Sequence, residues 1–341
     1  MRALLIKMSS LGDVVHTLPA VSDAAAHGVT FDWVVEEAFA SIPARHPAVR
    51  RVVPIAWRRW RKRLVSERHA LNDFISSLRE EDYDLVIDAQ GLMKSAAVTA
   101  LARAPLKAGL SFTSARESAA AFFYDRKVQV PMGGHAVDRL RALFAGTFGY
   151  SMPTGPADFG LGSQTASADA TGRCVLLHGT TWDSKHWPEA MWRSLAAGLV
   201  DDGWQVALPW GGETERLRAE RIAADIAGVR VLDALSLEAL GTLIGSAGLV
   251  VGVDSGLSHL AGASAVPTVV VYGSTSAMRT GCRGPRVASL QSDLACSPCL
   301  RRDCRYRGAP ETWEGEVITP ACYARVTPER VREQAMRLLE R

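Results

Sequence analysis

Apolar residues in this chain gather in short runs, separated by polar or helix-periodic stretches. Ala3-Leu4-Leu5-Ile6 ends in Lys7-Met8-Ser9-Ser10-Leu11-Gly12-Asp13, which predicts a buried strand, a glycine-containing turn and a helix through about residue 26. Phe31-Asp32-Trp33-Val34-Val35 and Asp84-Leu85-Val86-Ile87-Asp88 predict two more strands, with helical spacing between them over residues 64–79. Beyond residue 172 the alternation restarts: strands are expected at 174–177, 205–208, 229–232, 249–253 and 268–272, and helices near 189–199, 213–226, 237–245, 258–263 and 328–339. Strands alternating with helices imply βαβ units and parallel sheets. From residue 151 to 172, large apolar side chains give way to Pro, Gly, Ser, Thr and Ala, the mark of a domain boundary. The expected fold class is α/β, with two doubly wound Rossmann-like domains facing a cleft: residues 1–155 and 172–322, then a C-terminal helix in 323–341. Such folds bind ligands at the carboxyl ends of their strands.

Composition narrows the function. A chain of 341 residues with 48% hydrophobic and 22% charged side chains has an ordinary globular make-up. A net charge of only +3 excludes a wholly basic nucleic-acid coat, so no nucleic-acid partner is expected. No run approaches the ~18 apolar residues of a membrane-spanning helix, and Lys7 cuts the first apolar run far short of a secretory signal. The expectation is a soluble, cytoplasmic chain. Cys296, Cys299, Cys304 and Cys322 cluster towards the C-terminus; their spacing offers either a structural zinc or iron–sulfur site or a set of free thiols.

Four constellations follow predicted strands. Asp13 opens a helix and is either a general base or a helix-capping carboxylate. Arg58-Arg59-Trp60-Arg61-Lys62-Arg63 puts five cations in six residues, either an anion-attracting patch or a solvated face. Lys94 and Arg116 would extend that patch. Thr180-Thr181-Trp182-Asp183-Ser184-Lys185-His186-Trp187-Pro188 suits a pyrophosphate or forms an ordinary strand–helix loop. Asp254-Ser255-Gly256-Leu257-Ser258-His259 supplies hydroxyls and N–H groups to an anion at a helix start. Glu215, after the strand at 205–208, would hold ribose hydroxyls.

Ser9 through Pro19, Asp183 through Pro188 and Asp254 through His259 together resemble the motifs of the bacterial lipopolysaccharide heptosyltransferases, over residues 1 to about 275. Phe31 through Glu37, the basic run and Asp88-Ala89-Gln90-Gly91-Leu92-Met93-Lys94-Ser95 look most like the type I branch, which adds the first heptose to Kdo-lipid A. The resemblance implies a GT-B fold with an acceptor domain, an ADP-heptose-binding domain and a last helix packing back towards the first domain. It implies ADP-L-glycero-D-manno-heptose as donor and Kdo-lipid A as acceptor, with inversion, no cofactor and no required metal ion. An anionic membrane surface would be a further partner, with the chain peripheral on the cytoplasmic face of the inner membrane. Asp13 would be the catalytic base. Lys185 would hold the pyrophosphate, Glu215 the ribose, and Asp254 with His259 the sugar and phosphates, aided by Thr180, Thr181, Ser255, Gly256 and Ser258. Ser10, Gly12, Arg58, Arg59, Arg61, Lys62, Lys94 and Arg116 would meet the acceptor. The cysteine tail departs from the type I pattern and is closer to type II relatives. Alternatives are a type II or related ADP-heptose transferase with another acceptor, a nucleotide-sugar 2-epimerase, and a non-catalytic protein that binds lipid A or a nucleotide sugar.

Overall fold

The computed structural model describes residues 1–62, 66–162 and 172–340, and the chain divides into two units, Met1–Leu161 and Gly162–Arg341. In the first unit, β1 (Arg2–Ile6), β2 (Thr30–Glu36), β3 (Val49–Ile55), β4 (Leu85–Asp88), β5 (Lys107–Leu110) and β6 (Arg126–Val128) form one sheet in the order β3-β2-β1-β4-β5-β6. Every pairing is parallel, with Leu5 opposite both Trp33 and Ile87. The central strands are buried on both faces, so β1 reads as an unbroken apolar run rather than an alternating one.

The second unit repeats the plan. Strands β7 (Arg173–Leu177), β8 (Gln205–Leu208), β9 (Val229–Val231), β10 (Leu249–Val253), β11 (Thr268–Tyr272) and β12 (Val287–Gln291) lie in the order β12-β11-β10-β7-β8-β9, again all parallel. In both sheets the strand order reverses beside the first strand, between β1 and β4 and between β7 and β10. Loops leaving these strands diverge there, which opens a crevice at the strands' carboxyl ends. The α/β class and the doubly wound order match the sequence expectation.

Four strands had no sequence signal of their own: β3, β5, β6 and β12. Of these, β3 carries Arg50, Arg51 and Pro54, a poor strand sequence until its partner is seen. The buried Asp32 of β2 accepts hydrogen bonds from Arg50 (2.9 and 3.1 Å), Arg51 (3.0 Å) and the Tyr83 hydroxyl (2.9 Å), so the two arginines are neutralised at the sheet edge. The helix expected over residues 64–79 is Arg68–Leu78. The last helix, Pro328–Leu339, buries Val331, Ala335 and Leu338 in the core of the second unit. Its principal neighbours are the helix Glu189–Asp201 and strands β11 and β12, and Arg332 pairs with Asp202. Its apolar stripe is therefore buried in the core of the second unit.

Candidate functional site

Three of the four constellations follow β1, β7 and β10, the strands at the reversal points, while the basic run follows the edge strand β3. In the first unit the chain leaves β1 at Ile6 and enters the helix Leu11–Ala25. Ser10 donates to Asp13 Oδ2 from both its backbone N–H (2.9 Å) and its hydroxyl (2.8 Å). Asp13 thus does cap its helix, while its side chain stays 49% exposed, with Lys7 Nζ 3.9 Å from Oδ1. Lys7 is buried and donates to the Ala89 carbonyl at 3.0 Å. One carboxylate oxygen is fixed by Ser10, and the other faces a cation at the mouth of the crevice.

The loop after β4 holds this arrangement in place. Gln90 accepts from the Met8 N–H (2.8 Å) and donates to the Ser9 carbonyl (2.9 Å), pinning the Ser9–Ser10 segment from the neighbouring strand. Its own backbone N–H donates to Asp88 at 2.8 Å, as does that of Gly91 at 3.1 Å. Gly91 takes a φ of +67° there, a left-handed turn that a side chain would strain. Asp88 is fully buried and also accepts from the Tyr124 hydroxyl at 2.7 Å. Burial pushes its carboxyl above the usual range, only partly offset by these hydrogen bonds. Gln90, Asp88 and Lys7 carried no separate signal in the sequence; their place just past β4 and β1 is the clue that would have found them.

The expected acceptor cations divide. Lys94 donates to the Ser9 hydroxyl at 3.1 Å. Burial lowers its ammonium pKa, as do the charges of Arg58 and Arg61, against the opposing pull of Glu36 and Asp13. Lys94, Arg58, Arg61 and Asp13 therefore share one neighbourhood. Arg58 lies over the Phe39 ring at 5.2 Å, and its backbone N–H donates to the buried Glu36 at 3.0 Å. Arg59 is held between Glu37 and Glu67, each at 3.3 Å. Trp60, inside the basic run, is a core residue packed edge-on to Phe74. Arg61 and Lys62 are exposed, and Arg63 lies outside the described residues. Arg116 is exposed beyond β5, next to Glu117, whose carboxylate caps Met93 N–H at 2.6 Å. Gly12 lies in the first turn of the Asp13 helix.

The second unit builds a tighter cluster. Lys185 Nζ lies 2.7 Å from Asp254 Oδ2, and His259 Nε2 lies 3.5 Å from Oδ1. Burial pushes the Asp254 carboxyl up, but the His259 hydrogen bond and the Lys185 charge outweigh it and hold the group well below the usual carboxylate range. Lys185 also stands 4.8 Å over the Trp182 ring, and Arg302 stands 5.6 Å from the same ring. The Thr180 hydroxyl donates to the Asp254 carbonyl at 3.2 Å; Thr181 is exposed. Ser255 caps the helix Gly256–Ala263. Ser258 is fully buried, with its hydroxyl committed to the Val253 carbonyl at 2.6 Å, so it shapes the loop rather than facing a ligand. Glu215 accepts from the Gly211 N–H at 2.8 Å. A Cβ at Gly179 would come within 2.6 Å of the Glu215 carboxylate, so only glycine lets the β7 loop and Glu215 approach this closely.

Cys296, Cys299, Cys304 and Cys322 line one cavity of about 380 Å³. All four are free thiols, and among the described residues no three His, Cys, Asp or Glu side chains could hold a metal ion. Cys296 and Cys304 are exposed while Cys322 is buried, its thiol pushed up to about 12 chiefly by burial. Among the described residues no helix is long and apolar enough to cross a membrane.

Comparison with known proteins fits this geometry. A family model described as glycosyltransferase family 9 (heptosyltransferase) matches residues 71–309. Lipopolysaccharide heptosyltransferase 1 of Pseudomonas aeruginosa is 48% identical over 348 aligned residues, covering 99% of this chain and 98% of that protein. The solved E. coli heptosyltransferase WaaC with ADP aligns with a TM-score of 0.86 at 40% identity, covering 99% of this chain and 100% of that one. The same enzyme with ADP-2-deoxy-2-fluoro heptose aligns at 0.83 and 39%, covering 99% of each chain.

Proposed function

The chain belongs to glycosyltransferase family 9, the heptosyltransferases, and from that membership we propose that it transfers L-glycero-D-manno-heptose from ADP-heptose to the Kdo of Kdo-lipid A in the lipopolysaccharide inner core. One observation carries the donor half of this reading. Lys185 rests on a buried, ionised Asp254 at the reversal point of the second sheet, in a chain whose fold matches throughout a heptosyltransferase solved with ADP. The buried carboxylate holds the ammonium in place, ready for a pyrophosphate.

The transfer inverts the anomeric carbon. Asp13 takes the proton of the acceptor hydroxyl as the new C–O bond forms. The anomeric C–O bond to ADP breaks, and ADP leaves with the electron pair. Lys185 and the N–H groups of the helix Gly256–Ala263 meet the growing negative charge, so the step needs no metal ion. His259 and Asp254 hold the sugar and phosphates, and Glu215 the ribose. Lys94, Arg58, Arg59, Arg61, Lys62 and Arg116 attract the acidic groups of the acceptor beside Ser10 and Gly12. With such an acceptor the enzyme works as a peripheral protein on the cytoplasmic face of the inner membrane.

The test is mass spectrometry of Kdo-lipid A incubated with ADP-heptose, EDTA and the protein. The expected result is a gain of one heptose, with the Asp13→Asn rate lower by roughly 10²–10⁴-fold. Equal rates in the two proteins would remove Asp13 from the chemistry. A gain only on lipid A that already bears one heptose would move the chain to the type II reaction.

A further inference from the structure

The first unit exposes seven large hydrophobic side chains among its described residues, and five of them lie between residues 93 and 132: Met93, Phe112, Phe122, Phe123 and Met132. They follow β4, β5 and β6, at the same end of the sheet as Asp13 and Lys94. Contacts link the segments that carry them. Phe112 and Phe122 meet edge to face at 4.9 Å. The Met93 N–H is capped by Glu117 of the segment that leads into the phenylalanines. Arg139 bridges the Met132 sulfur at 3.3 Å and the Ser114 carbonyl at 3.1 Å. Phe122 is 77% exposed, although a phenylalanine in water forgoes one of the larger burial gains open to a side chain.

Charge surrounds this ledge without cancelling on it. Arg116 is exposed and has no carboxylate partner among the described residues. Arg126 and Lys127 give hydrogen bonds to the carbonyls of Thr147 and Tyr124, and Lys127 also lies 6.0 Å from the Phe112 ring. Aromatic side chains flanked by cations are the composition that settles at the headgroup boundary of an anionic bilayer.

We propose that the ledge of Phe112, Phe122 and Phe123, with Met93 and Met132 beside it, is the surface by which the chain rests on an anionic phospholipid bilayer. The inference rests on the reading of a lipid-linked acceptor and gives that reading a second contact besides the basic run. It places the aromatic anchor on the rim of the acceptor half, so the reacting sugar would be met at headgroup height. The ledge adds apolar contact, whereas the cations at residues 58–62 supply only charge.

Cosedimentation with phosphatidylethanolamine–phosphatidylglycerol vesicles tests this without the transfer reaction. The wild type is expected to pellet at low salt, and the Phe112→Ser/Phe122→Ser variant to partition roughly tenfold or more weakly at unchanged melting temperature. Met278→Ser, an equally conspicuous exposed side chain of the second unit at 88% exposure, is expected to bind as the wild type does. Arg61→Ala/Lys62→Ala separates the two contacts: its residual binding is expected to persist at high salt, because apolar burial is not screened. Vesicle binding by the double phenylalanine variant equal to wild type would overturn the proposal. So would sedimentation equilibrium showing a vesicle-free dimer that the same variant dissociates, since the ledge would then be a self-association face. Activity on detergent-dispersed Kdo-lipid A is read separately, so a failed ledge and a failed acceptor assignment give different results.

Discussion

At equivalent places in the two sheets, at the end of the fourth strand in chain order, each half buries an aspartate, and the two are wired in opposite ways. Asp88 is surrounded by neutral donors: the Tyr124 hydroxyl and the N–H groups of Gln90 and Gly91. Asp254 faces the Lys185 ammonium and the His259 imidazole. Burial pushes both carboxyls up, yet only Asp254 ends below the ordinary range. The same topology therefore gives the first half a hydrogen-bonded brace for its loop and the second half a charged anchor. In the first half the charged pair near the strand ends, Asp13 and Lys94, is left nearer to solvent.

The sharpest way to break this comparison is to remove each charge in turn. Asp254→Asn leaves the Lys185 ammonium facing a buried amide and is expected to cost about 3 kcal/mol of stability. Asp88→Asn, which keeps an oxygen for the Tyr124 hydroxyl, should cost only about 1 kcal/mol. Denaturant titration of both variants checks this, and equal losses would mean that Lys185 contributes little to holding Asp254.

The acid side of the stability curve separates the two further. The Asp254 carboxyl is depressed in the folded chain, so its stabilisation is complete above the unfolded value near ~3.9 and fades as pH falls below it. Asp88 is raised, so the cost of ionising it appears as pH climbs above that same value. Melting temperatures measured from pH 3 to pH 7 should show the gap between wild type and Asp254→Asn widening with pH. For Asp88→Asn the wild type should do relatively better at the acid end.

Two smaller effects concern the acceptor half. Gln90→Ala removes the pin between the β4 loop and Met8–Ser9 while touching no expected substrate group. We expect kcat to fall about tenfold, because small displacements of a reacting group are costly. The pH profile should keep its shape, since Asp13 itself is untouched; a shifted profile would give Gln90 an electrostatic role. Least of all, Glu37→Gln releases Arg59 from one exposed ion pair worth only ~0.2–1 kcal/mol. Acceptor KM should drop a few-fold at low salt and return to wild type at high salt, as titration of ionic strength would show.

The sheet centres were legible because a strand buried on both faces must be apolar throughout, as β1, β7, β10 and β11 are. The edges were not. The Arg50–Arg51 pair in β3 makes sense only once Asp32 is seen beside it, and short strands such as β6, Arg-Lys-Val, have little signal to give. For the site, strand-end position marked the right loops and the residue types named their chemistry. The pairings stayed hidden, since Lys185 with Asp254, or Gln90 with Ser9, join segments far apart in the chain. The cysteines show the other side: their spacing marked them as a group, and the fold brings all four to one cavity.

Trp182 carries a consequence for how the donor half can be watched. Its indole has an ammonium at 4.8 Å and a guanidinium at 5.6 Å, and an excited indole shifts its emission with the electric field across the ring. A pyrophosphate that draws Lys185 towards itself would change that field. The chain contains nine tryptophans, and on the donor-site reading of Lys185 proposed above this one would turn nucleotide arrival into a colour change, an optical gauge of occupancy within the chain itself.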